Sequence, residues 1–213
     1  MKPKVHDKSA PVHDEPFGVV VRLRPVLELG PDQLLELSSL NRDLRLELTS
    51  EGELIIMTPA GGWSSKRNFN LAGQLWAWVR QDGTGTAFDS SGGFVLPNGA
   101  IRSPDVSWVE NSRLKALSTE EREKYLPLCP DFVIELRSPT DGLRALQEKM
   151  AEYLENGTKL GWLLDPGRKR VYVYRPGEPV QELKDPRTIS GEPVLPGFVL
   201  DLGEVGSGSP CVV

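Results

Sequence analysis

The chain has 213 residues, 26% of them charged and 38% hydrophobic, a balance that suits a soluble globular protein and excludes a disordered one; the length accommodates one domain with a full core and only marginally two. The formal charge of −5, from 25 basic and 30 acidic residues, excludes nucleic-acid binding spread over the whole surface and confines any such contact to a local basic groove. No apolar run approaches the roughly 20 residues of a bilayer span, so no membrane partner is expected, and the opening Met-Lys-Pro-Lys-Val-His-Asp-Lys lacks the apolar segment of a secretory signal, which makes the cytoplasm the expected location.

Residues 1–16 are rich in charge and proline and read as a flexible arm. A short helix is predicted over Pro31 to Leu40, with Pro31 in its first turn. Leu44, Leu46 and Leu48 then alternate with Arg45, Glu47 and Thr49 as a half-buried strand, which Ser50-Glu51-Gly52 turns back into a second strand over 53–57. After the loop from Pro59, Ser64 or Ser65 is the expected cap of a helix to about Gln81. Its core face is read from Phe69, Ala72, Leu75, Trp76 and Val79, with Trp76 and Trp78 as core rather than base-stacking groups. The loop reads as a plain helix entry, with Lys66 and Arg67 as candidate DNA backbone contacts.

Strands are predicted at 84–89, 93–96, 105–109 and 132–136. A helix follows from Leu143 to Asn156, with Gly157 placed to end it. The segments 160–164 and 170–175 flank Asp-Pro-Gly as a hairpin, and two or three weaker strands reach Leu202. The expected division is an arm over 1–16, one domain over 17–205 and a loose tail over 206–213.

Histidine supply removes several chemistries. The only two, His6 and His13, fall in the N-terminal arm, so Ser-His-Asp or Cys-His triads and helical zinc motifs are not expected. Cys129 and Cys211 lie far apart without metal-ligand spacing. What remains for a catalytic site is carboxylates, lysines, arginines, hydroxyls and backbone.

Two acids stand out against this background. Asp105 and Glu135 each interrupt an apolar, strand-like run, and a buried charge is costly unless it is paired or coordinates a metal. Period-two alternation puts Glu135 and Arg137 on one strand face. If the strand holding Asp105 lies alongside, both carboxylates converge on one cation, and the carbonyl of Leu136 adds a further ligand. Mg²⁺ is commonly held by one or two carboxylates plus waters and phosphate oxygens, with Mn²⁺ as a substitute. At about 100° per residue, Lys149 falls on the margin of the buried face of its helix, where its stem can carry the ammonium to the carboxylates. The plainer alternatives are a turn-side acid for Asp105, an ion pair of Glu135 with Arg137 or Arg102, and a solvated helix residue for Lys149.

These residues also carry a resemblance. Ser-Pro-Asp105, then Pro-Asp-Phe-Val-Ile-Glu135-Leu-Arg-Ser-Pro-Thr-Asp141, then Lys149-Met-Ala-Glu-Tyr153 through Trp162-Leu-Leu-Asp-Pro, with Met57-Thr-Pro-Ala-Gly-Gly and Val194-Leu-Pro-Gly-Phe198, resemble a large bacterial family of putative restriction endonucleases in the PD-(D/E)XK nuclease superfamily. The match extends from about Leu34 to Leu202. It implies an α/β protein with a restriction-endonuclease-like core, a mixed central sheet flanked by helices, and extra β-hairpins. It implies Asp105 and Glu135 as metal ligands and a Mg²⁺-dependent endonuclease acting on DNA, expected to be double-stranded. The superfamily's lysine two residues after the glutamate is Arg137 here, which stays protonated and is expected to contact phosphate. Lys149 on the following helix takes the lysine's place, orienting water or steadying the transition state, and Glu47 matches an early glutamate that binds a second metal or orients a water. A homodimer would suit duplex cleavage. The rival readings are a non-cleaving DNA-binding or protein-interaction module on the same fold, and a metal-dependent hydrolase of RNA or nucleotides.

Overall fold

The computed structural model describes residues 18–57, 59–203 and 205; the expected arm over 1–16 and tail over 206–213 lie outside them. In chain order the first half runs β1 (Val19–Arg22), α1 (Pro31–Leu40), β2 (Arg45–Leu48), β3 (Glu53–Met57), α2 (Gly62–Asp82), β4 (Gly85–Asp89), β5 (Phe94–Val95) and β6 (Ile101–Arg102). The second half runs β7 (Val106–Glu110), α3 (Asn111–Lys115), α4 (Thr119–Arg122), β8 (Phe132–Leu136), α5 (Leu143–Glu155), β9 (Leu160–Asp165), β10 (Arg170–Tyr174), β11 (Gln181–Lys184), β12 (Thr188–Ser190) and β13 (Val199–Asp201).

The central sheet has the order β11-β10-β9-β8-β7-β4. It is mixed, because β8 and β9 pair in parallel while every other neighbour is antiparallel. A parallel pair needs a crossover connection, and α5 is that connection. Alternation along β8 divides the core in two. Phe132, Ile134 and Leu136 face Leu71 and Leu75 of α2 and the C-terminal Leu195, Phe198 and Leu200. Val133 belongs to the other side, with Leu146, Met150 and Tyr153 of α5. The sheet is therefore covered on both faces, which is why β8 and β9 are buried along their whole length.

A second, antiparallel sheet in the order β1-β3-β2-β6-β5 buries Leu46, Leu48, Leu54 and Ile101 against Leu34 of α1. The hairpins predicted between β2 and β3 and between β9 and β10 are present, the latter in register from Asp165 opposite Arg170. β12 and β13 form a separate two-stranded ribbon.

The helix α2 departs from expectation in two ways. Its N-cap is Gly61, so Ser64 and Ser65 lie inside it rather than capping it. Its core face is set by Leu71 and Leu75, with Ala72, Trp78 and Val79 beside them, while Phe69 and Trp76 face outward. Ala72, Leu75 and Val79 point inward as expected, Leu71 and Trp78 complete the buried arc on the far side of Leu75, and the aromatic pair is left in solvent. Asp105 immediately precedes β7 rather than beginning it, and α5 ends at Glu155 with Asn156 as its C-cap. Among the described residues no helix is long and apolar enough to cross a membrane.

Candidate active site

β7 and β8 pair antiparallel with Val106 opposite Ile134, which brings Asp105 to the end of β8 where Glu135 and Leu136 lie. The contact is direct, since the Leu136 backbone N–H donates to Asp105 Oδ2 at 2.8 Å. Arg45 Nη1 and Asn68 Nδ2 both donate to Asp105 Oδ1, at 3.1 and 3.2 Å. Asp105 is buried, so the turn-side alternative does not describe it.

Glu135 faces α5. Its Oε1 lies 2.8 Å from Lys149 Nζ and accepts a hydrogen bond from Tyr153 Oη at 3.1 Å. Lys149 is only 4% exposed, not a solvated helix residue. It lies 2.8 Å from Glu47 Oε1 as well, so one ammonium serves two carboxylates. Glu47 is fully buried and holds two further donors, Arg102 Nη1 at 3.2 Å and the Ser103 backbone N–H at 3.0 Å. Arg102 in turn pairs with Glu152 of α5 at 2.6 Å.

This division of partners sets the charges. Burial opposes ionisation of Glu47, yet Lys149 and Arg102 overcome it and hold the carboxyl below its ordinary value. Glu135 shares Lys149, with Asp105 and Glu47 as repelling neighbours, so burial pushes it up to about 7. Burial also works against the Lys149 ammonium, but Glu135 and Glu47 raise its pKa above the ordinary lysine value, so it is a cation at neutral pH.

A cavity of about 460 Å³ opens over the two acids, lined by Asp105, Glu135, Arg45, Asn68, Trp63 and Arg67 among others. Lys149 and Glu47 do not line it; they stand behind Glu135. Arg137 does not line it either. Its guanidinium is taken by Asp165 at 2.7 Å and by the Asp141 carbonyl at 2.9 Å, which anchors the loop 138–141 that forms one wall of the cavity. The ion-pair alternative for Glu135 therefore fails for both expected partners, because Arg137 goes to Asp165 and Arg102 to Glu47 and Glu152.

The donor set can be tested against a metal. Among the described residues no group of three or more His, Cys, Asp or Glu side chains could hold an ion. Two carboxylates of hard oxygen at a cavity wall fit a cation that keeps most of its ligands as water and substrate, as Mg²⁺ does. Among the described residues Glu135 takes Lys149 and Tyr153 on Oε1, and Asn68 brings to the same wall a buried Oδ1 that has no hydrogen-bond partner. The residues present fit that ion.

Sequence reasoning missed Arg45, Asn68 and the hydroxyl of Tyr153. Arg45 lies two residues before Glu47 on one strand, and Tyr153 lies four after Lys149 on one helix, so both shared a face with a residue already singled out. Nothing in the sequence around Asn68 marks it.

A family model described as Uma2, putative restriction endonuclease, matches residues 31–203. Among solved structures, the chain is similar to a putative nuclease belonging to DUF820 from Anabaena variabilis, at 20% identity and a TM-score of 0.68 over 83% of this chain and 97% of that one. At that identity the likeness is one of fold. No curated protein matches the chain.

Proposed function

The chain belongs to the Uma2 family of putative restriction endonucleases, and on that premise we propose that it is a divalent-metal-dependent endonuclease hydrolysing DNA phosphodiester bonds. One observation carries the reading. Two neighbouring strands deliver Asp105 and Glu135 to one cavity wall, and a buried lysine ammonium lies 2.8 Å behind the glutamate.

In this reading Asp105 and Glu135, with the carbonyl of Leu136, hold Mg²⁺ or Mn²⁺. Such an ion, when bound, lowers the pKa of a coordinated water and polarises a phosphate oxygen. The protein's own groups do the rest. Arg45 and Asn68 fix the Asp105 carboxylate, and the Leu136 N–H fixes its second oxygen. Lys149, held protonated, is no general base; it orients Glu135 and, from behind that carboxylate, adds positive potential to a cavity where a phosphate gains negative charge in the transition state. Glu47 acts one step further back by positioning Lys149. Arg137 acts on the cavity wall through Asp141 and Asp165.

The test is cleavage of supercoiled and linear DNA at low salt with Mg²⁺ or Mn²⁺, beside Asp105→Asn and Glu135→Gln proteins of confirmed folding. Metal-dependent cutting that falls roughly a hundredfold or more in both variants is expected, the scale on which active-site electrostatic groups act. An inert wild type that also shows no calorimetric binding of either metal would sink the reading.

A further inference from the structure

The outward face of α2 combines two features that a soluble helix usually keeps apart. It exposes Phe69 at 82% and Trp76 at 60%, and Trp63, also 60% exposed, stands at its start on the cavity wall. The helix carries three cations, Lys66, Arg67 and Arg80, and a single carboxylate, Asp82, in a chain whose net charge is −5. None of the three cations has a carboxylate partner among the described residues. Two of them cover rings instead: Lys66 Nζ lies 5.5 Å from the centre of Trp63 and the Arg80 guanidinium 5.6 Å from that of Trp76. At about 100° per residue, Lys66, Phe69, Trp76 and Arg80 fall on one arc, facing away from Leu71 and Leu75.

We propose that this face is a docking track for single-stranded nucleic acid that leads a strand into the cavity holding Asp105 and Glu135. The inference rests on the nuclease reading for the chemistry at the cavity. Charge selects the class of partner, because an unpaired basic strip on an acidic protein attracts a polyanion. A second copy of the chain fits poorly, since a twofold contact through this face would set the same cations against one another. The rings select the state of the strand. In a duplex the base faces are covered by their neighbours, whereas aromatic side chains interleaved with cations suit unpaired bases, each of which has a free π-face. Spacing agrees: Phe69 and Trp76 are about 10 Å apart along the helix axis, against about 3.4 Å between stacked nucleotides. A strand that engages both rings has its bases splayed.

The test is fluorescence anisotropy of labelled oligothymidylate and of a blunt duplex of equal length, in EDTA so that no cutting intervenes. The full chain is compared with Phe69→Ala, Trp76→Ala and Lys66→Ala proteins. These side chains are exposed, so an unchanged melting temperature serves as the folding control. The wild type is expected to bind the single strand at least tenfold more tightly than the duplex. Each aromatic substitution weakens single-strand binding by about tenfold, and Lys66→Ala lowers its salt dependence. Equal affinity for the duplex, or aromatic variants within twofold of wild type, overturns the proposal; so does loss of self-association in those variants with strand binding unchanged. Because the readout is metal-free, it separates the two readings. Strand binding that depends on α2 without any metal-dependent cutting defeats the nuclease alone, and cutting with binding indifferent to Phe69 and Trp76 defeats the track alone.

Discussion

Lys149 is one cation facing two buried carboxylates, and that shortage governs the behaviour of both. Glu47 has Arg102 as a second partner, whereas among the described residues Glu135 adds the Tyr153 hydroxyl alone. Replacing Lys149 by methionine keeps the stem and removes the charge, leaving Glu47 and Glu135 buried without their shared partner. Breaking a buried pair in this way costs about 3–5 kcal/mol, so Lys149→Met is expected to lower the urea midpoint steeply as well as abolish cutting. The Glu135 carboxyl also makes a pH prediction. Its pKa in the fold is about 7, above the ordinary 4.5, so between those values the folded chain holds a proton that the unfolded chain has lost. Its contribution is complete below 4.5 and is lost as pH rises through about 7. The metal-free protein is therefore expected to lose stability across that window, and Glu135→Gln to flatten the loss; an equally steep profile in the variant would count against the assignment. Glu47, depressed by its partners, acts in the opposite direction, and its contribution disappears only in acid.

Among the elements, α5 is the one that carries site residues over a close approach to the sheet, with its Met150 packed on Gly161. Leu146, Met150 and Tyr153 press on the sheet, and Lys149 is the residue before Met150. A Cβ at Gly161 would run into Met150 Cε and lie 3.4 Å from Val133 Cγ2. The methionine end can swing away from an alanine methyl, but a valine needs more room than that. Gly161→Val is therefore expected to destabilise by about 1–3 kcal/mol and to lower cleavage beyond what the lost stability explains, because α5 carries Lys149 and Tyr153. Measuring melting temperature and rate together checks this; a rate that tracks the folded fraction alone would limit Gly161 to packing. α5 was legible in the sequence because its apolar residues form one arc and Gly157 ends it with a positive φ of 110°. α2 was legible as a helix with Ala72, Leu75, Trp78 and Val79 inward, but Phe69 and Trp76, expected beside them, face outward while Leu71 takes the core place.

At the scale of the molecule, the site lies where the two large sheets meet. Arg45 and Glu47 come from β2 of the antiparallel sheet, Glu135 from β8 of the mixed sheet and Asp105 from the entry to β7. Their contacts, Arg45 with Asp105 and Glu47 with Lys149 of α5, tie the sheets together through charges, beside the apolar cluster in which Phe94 of β5 meets Val109 and Val133 of the mixed sheet. A cation that binds only the assembled site stabilises the whole fold by mass action, about 2.7 kcal/mol at a hundredfold excess over its dissociation constant. The melting temperature is accordingly expected to rise with Mg²⁺ and fall back on chelation, and to stay flat in Asp105→Asn. A rise of equal size in the variant would locate the ion elsewhere.

The alternation of strands and helices, the placing of α5 between β8 and β9, and the two acids that interrupt apolar runs are all readable along the chain. Each of these is written in local periodicity, or in the cost of placing a charge where the pattern demands an apolar group. Which partners those charges found was set by folding. Arg137, two residues from Glu135, went to Asp165, while Lys149 bridged Glu135 to Glu47 from a sheet some hundred residues earlier in the chain (|i−j| = 102). Ion pairs form between groups that packing brings within a few ångströms, and a linear pattern carries no record of that distance.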